Sequence, residues 1–145
     1  MTKQEFLAFS LPYGLKLFNK NCEHKRMYEM DGLFTPNAVH CKETNRVDYF
    51  HCEIMPILRP LSDLIKEIEH NGDMFFPIDE LNNICDDELD RYNDYFDEEN
   101  TIELDWFQEP FIIFKKLIEW HFDIADLISK GEAIDVNTLN VNPYK

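Results

Sequence analysis

Glycine is scarce in this sequence, with only four residues among 145. Phosphate-binding loops and dinucleotide-binding turns need several glycines at fixed spacing, because the backbone must approach the phosphates closely. Neither pattern is present, and no Gly-x-Ser-x-Gly turn presents a nucleophilic serine. The sequence therefore points to no particular reaction, and we favour a non-enzymatic protein with no organic cofactor.

Long apolar runs are also missing. No window approaches the 18 or so uninterrupted apolar residues typical of a membrane-spanning helix. The N-terminus lacks a cationic region followed by an apolar stretch, so no secretory leader is evident. Four cysteines without such a leader are typical of reduced thiols in a cytosol. We expect a cytoplasmic protein that does not contact a membrane.

Basic charge is in short supply: 14 Lys and Arg oppose 29 Asp and Glu, for a net charge of −15. Thirteen of the acids lie between Asp79 and Glu109, where Arg91 is the one basic residue. A surface of this sign repels the phosphates that nucleic-acid-binding proteins must neutralise, and it attracts basic protein surfaces. Nucleic acid is therefore an unfavourable direct partner, whereas a basic protein surface is a favourable one.

Apolar material is sufficient for a core, because 44% of the residues are hydrophobic and 14% are aromatic. A chain of this length is most simply one domain, spanning residues 1–145. Strand signals concentrate in the first 55 residues and helix signals in the rest. That segregation predicts the α+β class, with a small antiparallel sheet in the N-terminal part packed by helices from the C-terminal part.

Short segments enriched in β-branched and aromatic residues predict the strands. They are Leu15 to Phe18, Arg26 to Met30, Ala38 to Lys42 and Val47 to Ile54. Asp31-Gly32 is predicted to form a hairpin turn after the second of these. The segment Pro56 to Pro60 is predicted to be a rigid connection between sheet and helix, with the Arg59 side chain paired to an acid.

Helix signals begin at Thr2 and Glu5, whose capping-box spacing predicts a helix from Lys3 that ends at Pro12 and Gly14. Apolar spacing predicts further helices. They are Leu61 to Ile68, stopped by Asn71-Gly72; Ile78 to Cys85, with Pro77 at the first helical position; the longest one from Phe111 to Trp120; and Ile124 to Ile128, running to Gly131. The tail from Asp135 to Lys145 is predicted to be irregular.

The acidic stretch Asp86 to Glu99 holds eight acids in 14 residues. As a helix it would carry one charge per roughly 2.6 Å, approaching duplex DNA at about one per 1.7 Å. Such a surface can imitate a phosphate backbone, with tyrosine and phenylalanine as anchors. The predicted partner-binding residues are Asp86, Asp87, Glu88, Asp90, Tyr92, Asp94, Tyr95, Phe96, Asp97, Glu98 and Glu99. The competing interpretation is a solvated face that serves solubility.

Metal sites are weaker alternatives. Counted from Asp86, oxygen donors occupy most ligand positions of a calcium loop, but Arg91 replaces the glycine that the loop needs at position six. A second candidate combines Cys22, His24, His40, Cys41, His51 and Cys52 into a zinc site. Adjacent His-Cys pairs in a strand point to opposite faces, so each pair offers one ligand at most. His121, beside Trp120, is interpreted as a satisfied structural histidine.

Two stretches, Pro56 to Leu64 and Gly131 to Asp135, resemble segments of uncharacterised small acidic proteins of bacterial phages and mobile elements. The resemblance carries no site residues. It implies an accessory or counter-defence protein that binds a host factor. The leading hypothesis is therefore a non-enzymatic acidic inhibitor that occupies a basic, nucleic-acid-binding surface of a host or defence protein. A small metal-binding protein and a structural or assembly protein remain the alternatives.

Overall fold

A computed structural model describes residues 1–19, 27–35, 38–42, 46–50, 54–84 and 111–145. The acidic stretch Asp86 to Glu99 lies outside these ranges. Three α-helices and eight strands are described. They are α1 (Lys3–Ser10), β1 (Lys16–Asn19), β2 (Met27–Thr35), β3 (Ala38–Cys41), β4 (Arg46–Phe50), β5 (Ile54–Leu58), β6 (Ile68–His70), β7 (Asp73–Phe75), α2 (Pro77–Ile84), α3 (Phe111–Glu119) and β8 (Ile134–Asp135). None of these helices is long and apolar enough to cross a membrane.

The main sheet has six strands in the order β4-β3-β2-β1-β5-β8, and β6 and β7 form a separate hairpin. Every neighbouring pair in the main sheet is antiparallel except β5 and β8, which run parallel. The α+β class is thereby confirmed. The prediction of a purely antiparallel sheet in the N-terminal part is wrong in one respect. The C-terminal strand β8 joins the edge of the sheet and runs parallel to β5.

Helix α1 begins as its sequence predicts. The Thr2 side chain accepts a hydrogen bond from the Glu5 backbone N–H, and the Glu5 carboxylate accepts one from the Thr2 N–H. These two bonds satisfy amide groups that the first helical turn leaves without partners. Phe6 on this helix is fully buried, so the capped helix contributes a side chain to the core.

Strand β2 continues through Asp31-Gly32, so the predicted hairpin turn is wrong. The register against β3 shifts between Met30 and Gly32, which is a β-bulge rather than a reversal. A Cβ at Gly32 would lie 3.2 Å from the Cβ of His40. Glycine is therefore needed for close approach of two strands here, not for a turn.

The predicted strand Val47 to Ile54 is two strands in the structure, β4 ending at Phe50 and β5 beginning at Ile54. Strand β5 includes Pro56, so the predicted rigid connection over Pro56 to Pro60 is also wrong. Pro56 pairs with Leu17 of β1 and precedes the residues of β5 that pair with β8. A proline is tolerated there because the β5–β8 ladder has not yet begun.

The predicted helix Leu61 to Ile68 is replaced by a short 3-10 helix, Leu61–Ile65, followed by β6. Asn71-Gly72 joins β6 to β7 as a two-residue turn, with φ of 53° and 89°. Two positive φ values are the geometry of a tight hairpin turn, for which Asn-Gly is the preferred pair. The dipeptide thus reverses a strand rather than ending a helix.

Helices α2 and α3 lie where the sequence predicts them, and α3 is the longest described helix. The predicted continuation from Ile124 to Gly131 consists of turns instead. The Asp123 carboxylate accepts hydrogen bonds from the backbone N–H groups of Leu127 and Ile128, each at 2.8 Å. This carboxylate holds the turn segment in a compact loop.

The core lies between the sheet and the helices, and Phe6, Leu17, Leu117 and Phe122 are among its fully buried side chains. A second apolar cluster joins Ile57, Val136 and Tyr144. The tail is therefore not merely irregular: it contains β8 and a 3-10 helix, Val136–Thr138, and it inserts Tyr144 into the interior.

Candidate functional site: a buried arginine, histidine and tyrosine cluster

Arg59 follows β5, and both its backbone N–H and its backbone carbonyl form hydrogen bonds with the segment after α3. Its N–H donates to the carbonyl of His121 at 2.8 Å, and its own carbonyl accepts from the N–H of Asp123 at 2.8 Å. The pairing is a parallel bridge between Arg59 and Phe122. The end of β5 is thereby locked to the segment that follows α3.

His121 ends α3 in a left-handed conformation, with φ of 61°. Its N–H donates to the carbonyl of Ile118 at 3.0 Å, and the N–H of Phe122 donates to the carbonyl of Leu117 at 2.9 Å. These two bonds form a Schellman motif, in which the left-handed position is usually glycine. Histidine is among the few side chains that tolerate that position, and here its ring is almost fully buried.

Tyr144 reaches the same place from the C-terminal tail. Its hydroxyl donates to the carbonyl of Ile57 at 2.6 Å and accepts from the backbone N–H of Lys16 at 3.2 Å. Its ring lies 4.2 Å from that of His121, and the Arg59 guanidinium lies 5.6 Å from its centroid. The tail therefore contributes one wall of a polar cluster inside the protein.

His70 completes the cluster from the end of β6. Its ring centroid is 5.5 Å from that of His121 and 6.0 Å from that of Tyr144. The hairpin is fixed in place because the N–H of Asn71 donates to the carbonyl of Tyr144 at 2.7 Å. We call Arg59, His70, His121 and Tyr144 the Arg–His–Tyr cluster.

Three nitrogens of the Arg–His–Tyr cluster are buried without a hydrogen-bond partner in the described part of the chain: Nε of Arg59, Nδ1 of His70 and Nδ1 of His121. An unpaired buried polar group costs about 1–3 kcal/mol. Most folded proteins contain few of them, so three in one place mark an unusual site.

Burial controls the charges in the cluster. It lowers the pKa of His121 well below the ordinary value, and the nearby His70 and Arg59 lower that pKa further. Burial, followed by the charge of Arg59, also lowers the pKa of His70. Burial lowers the pKa of Arg59 as well, but a guanidinium stays protonated in proteins. The cluster therefore holds one permanent cation beside two neutral imidazoles at pH 7.

The buried carboxylate of Asp63 lies near Arg59 but is engaged elsewhere. One oxygen accepts from Nζ of Lys66 and the other from Nδ2 of Asn137, both at 2.7 Å. The Arg59 side chain instead donates from Nη2 to the backbone carbonyl of Glu69 at 2.7 Å. No carboxylate within the described ranges forms an ion pair with Arg59, so the predicted pairing to an acid is not found among those residues.

Two clefts open on the sides of the cluster. A cleft of about 320 Å³, the Arg59 cleft, has mixed polar and apolar walls. It is lined by Arg59, Asp63, Lys66, Glu67, Ile68, Glu69, Val136, Asn137, Leu139 and Asn142.

A larger cleft of about 480 Å³, the His70 cleft, is mainly polar. Asp73, Glu80 and Glu119 line it together with one cation, Lys116, which pairs with Glu119 at 3.2 Å. Asp73 and Glu80 have no cationic partner in the described part of the chain. This cleft is therefore negatively charged.

The eleven partner-binding residues predicted from the sequence all lie outside the described ranges, as does the calcium-loop spacing from Asp86. Four of the six predicted zinc donors also lie outside them. Of the other two, Cys41 is buried at the end of β3, and the His40 Nδ1 contacts the Asp31 carboxylate. Among the described residues, no three His, Cys, Asp or Glu side chains form a metal-binding group.

Sequence reasoning did not find the Arg–His–Tyr cluster. His121 was expected to be satisfied, and it is buried as a structural histidine would be, but its Nδ1 has no partner among the described residues. The sequence predicts no role for His70, and it predicts an irregular tail around Tyr144. One signal was available: Tyr144 is the one aromatic residue of the tail from Asp135 to Lys145.

Comparison with known proteins found no matching family model, no matching curated protein and no matching solved structure. The resemblance to phage and mobile-element proteins stays a prediction.

Proposed function

We propose that this chain is a non-enzymatic acidic binding protein that engages a basic surface of another protein, specifically a nucleic-acid-binding surface. One observation carries the proposal. Residues 85–110 hold eleven acids and one arginine, which is −10 of the net charge of −15, whereas the rest of the chain holds 18 acids and 13 Lys and Arg. Solubility alone depends on the net charge and does not require that the acids be concentrated in one segment.

The described fold supports presentation of this segment. Residues 85–110 connect the end of α2 at Ile84 to the start of α3 at Phe111. Leu81 on α2 is 4% exposed and Ile113 on α3 is 2% exposed, so core packing anchors both helices. Anchoring a segment at both ends restricts the conformations it must give up on binding, which favours affinity.

Electrostatic attraction and the burial of aromatic side chains would both contribute to binding of the partner. Electrostatic attraction to a basic surface raises the rate of association and falls with salt. Tyr92, Tyr95 and Phe96 lie among the acids and supply apolar area for anchoring. The resemblance to phage and mobile-element proteins favours a host or defence protein as the partner.

The test compares three chains in pull-downs from nuclease-treated bacterial lysate. The first is the native chain. The second carries amide replacements at Asp86, Asp87, Asp97, Glu98 and Glu99. The third, the matched control, carries the same number of amide replacements at exposed acids of the described body, Glu67, Asp73, Asp79, Glu80 and Glu132.

We expect the native chain and the control to retain the same basic protein, and duplex DNA added after the nuclease has been washed away should displace it. The segment variant should bind that protein about tenfold more weakly or worse. Equal retention by the native chain and the segment variant, or retention that duplex DNA leaves unchanged, would contradict the proposal.

A further inference from the structure

We propose that the Arg59 cleft binds a small molecule through a carboxylate group, which pairs with the Arg59 guanidinium. This site uses none of the residues between 85 and 110 and is independent of the function proposed above. Arg59 is a buried cation that no side chain in the described ranges neutralises directly.

Arg59 is 4% exposed, yet its side chain makes a single hydrogen bond within the described residues, from Nη2 to the carbonyl of Glu69. A guanidinium carries five N–H groups, so most of its donor capacity is unused. Arginine is seldom buried without a paired anion, because removing its charge from water is costly. An external anion in the cleft would supply a partner for the terminal Nη groups, because Nε is closed off from the surface.

The guanidinium is also held in a fixed orientation. It lies 5.6 Å from the Tyr144 ring centroid, and the Arg59 backbone is bonded on both sides to residues 121 and 123. A planar guanidinium matches the two oxygens of a carboxylate and can form paired hydrogen bonds with them. Because the group is already oriented, little side-chain entropy remains to be lost on binding.

The acids lining the Arg59 cleft determine which anion fits. Asp63 is engaged by Lys66 and Asn137, and the Glu69 carboxylate lies 3.8 Å from Nζ of Lys145. Glu67 is exposed and has no ion pair within the described part of the chain. A dianion such as phosphate would be repelled by these walls more strongly than a monocarboxylate. A carboxylate is therefore the better match than a phosphate.

The dimensions of the Arg59 cleft suit a small ligand. Its volume of about 320 Å³ is at the lower end of ligand pockets. Its walls contain uncharged and apolar side chains beside Arg59: the amides of Asn137 and Asn142, and Val136 and Leu139. A molecule with one carboxylate and a short, partly apolar body fits this combination.

The experiment titrates the full chain with sodium acetate at constant ionic strength, observing the Arg59 guanidinium N–H resonances by NMR. We expect saturable shifts with a Kd of about 1–10 mM, because acetate has so few atoms with which to bind. Inorganic phosphate should bind more weakly than acetate. Arg59→Lys keeps the charge but loses the planar donors, so this variant should lose acetate binding.

Because a substitution at the buried Arg59 also affects folding, two exposed charge reversals provide a second measurement. Glu67→Lys adds positive charge to a wall of the cleft and should tighten acetate binding several-fold. Glu132→Lys makes the same change of net charge at an exposed residue that does not line the cleft, and it should leave the acetate affinity unchanged. Shifts that increase linearly without saturation, equal responses of the two reversals, or tighter binding of phosphate than of acetate would overturn the proposal.

Discussion

The ring of His121 lies 4.2 Å from that of Tyr144, with an angle of 31° between their planes. The contact joins the left-handed end of α3 to the next-to-last residue of the chain. Tyr144 also bonds to Ile57 of β5 and to Lys16 at the start of β1. The C-terminal tail thus connects the helix end, the centre of the sheet and the Arg–His–Tyr cluster.

We expect Tyr144→Phe to lower the free energy of unfolding by about 1–3 kcal/mol, because the buried carbonyl of Ile57 loses its donor. Urea denaturation followed by circular dichroism measures the change. Val141→Ala is the control, since Val141 is 60% exposed and its truncation should change stability by at most about 0.5 kcal/mol. Equal effects of the two substitutions would show that the tail does not stabilise the sheet.

We expect acid to destabilise the protein before most carboxylates titrate. The pKa of His121 is lowered in the folded state by burial, and then by His70 and Arg59. Below about pH 6.5 the unfolded histidine binds a proton that the folded one does not, so the free energy of unfolding falls by up to about 1.4 kcal/mol per pH unit. His70, whose pKa is also lowered, acts in the same direction.

Urea denaturation at pH 7.5, 6.5 and 5.5 measures this dependence. His121→Asn removes the titrating ring and keeps a residue that tolerates a positive φ. This variant should lose less stability between pH 6.5 and 5.5 than the native chain. Parallel pH dependences in the two proteins would rule out His121 as the cause.

The turn between β6 and β7 allows a prediction that depends only on backbone conformation. Gly72 has φ of 89°, and a Cβ built there meets no atom within 4 Å. Gly72→Ala should therefore destabilise the protein by about 1–2 kcal/mol through backbone strain and not through a clash. Gly131→Ala, at φ of 69° and likewise in open space, is the matched comparison and should cost a similar amount. A negligible effect at both positions in thermal denaturation would contradict the left-handed geometry.

Asp123 is expected to stabilise the loop after α3 through hydrogen bonds to backbone N–H groups. Asp123→Ala removes the acceptor of the Leu127 and Ile128 amides, which should cost about 1–3 kcal/mol. Amide hydrogen exchange measures the local effect, and those two amides should lose protection before the core strands do. Glu132→Ala, at an exposed residue, is the control. Unchanged protection at both amides would show that the carboxylate is dispensable.

Local signals in the sequence were sufficient for several elements. The capping box of Thr2 and Glu5, Pro77 at the start of α2 and the apolar face beginning at Phe111 each predict a helix that the structure contains. They succeed because capping and helical periodicity act between residues a few positions apart. The segregation of strand and helix signals likewise predicts the α+β class.

Two of the sequence predictions are wrong because a local pattern favours one structure while strand pairing favours another. Apolar residues from Leu61 to Ile68 have helical spacing, but Ile68 belongs to a strand whose partner follows the Asn71-Gly72 turn. The hairpin preference of that dipeptide was the better guide. Similarly, Asp31-Gly32 has a turn sequence, yet pairing with β3 keeps the strand extended and uses Gly32 for close approach to His40.

The sequence by itself determined the fold class, the starts of α1, α2 and α3 and the concentration of acid between Asp79 and Glu109, since each depends on composition or short-range spacing. Tertiary structure alone decided the Arg–His–Tyr cluster. Its four members, at positions 59, 70, 121 and 144, come together only because β5 pairs with the segment after α3 and the tail packs against both. Contacts across such sequence separations depend on how elements pack, and no local pattern records that packing.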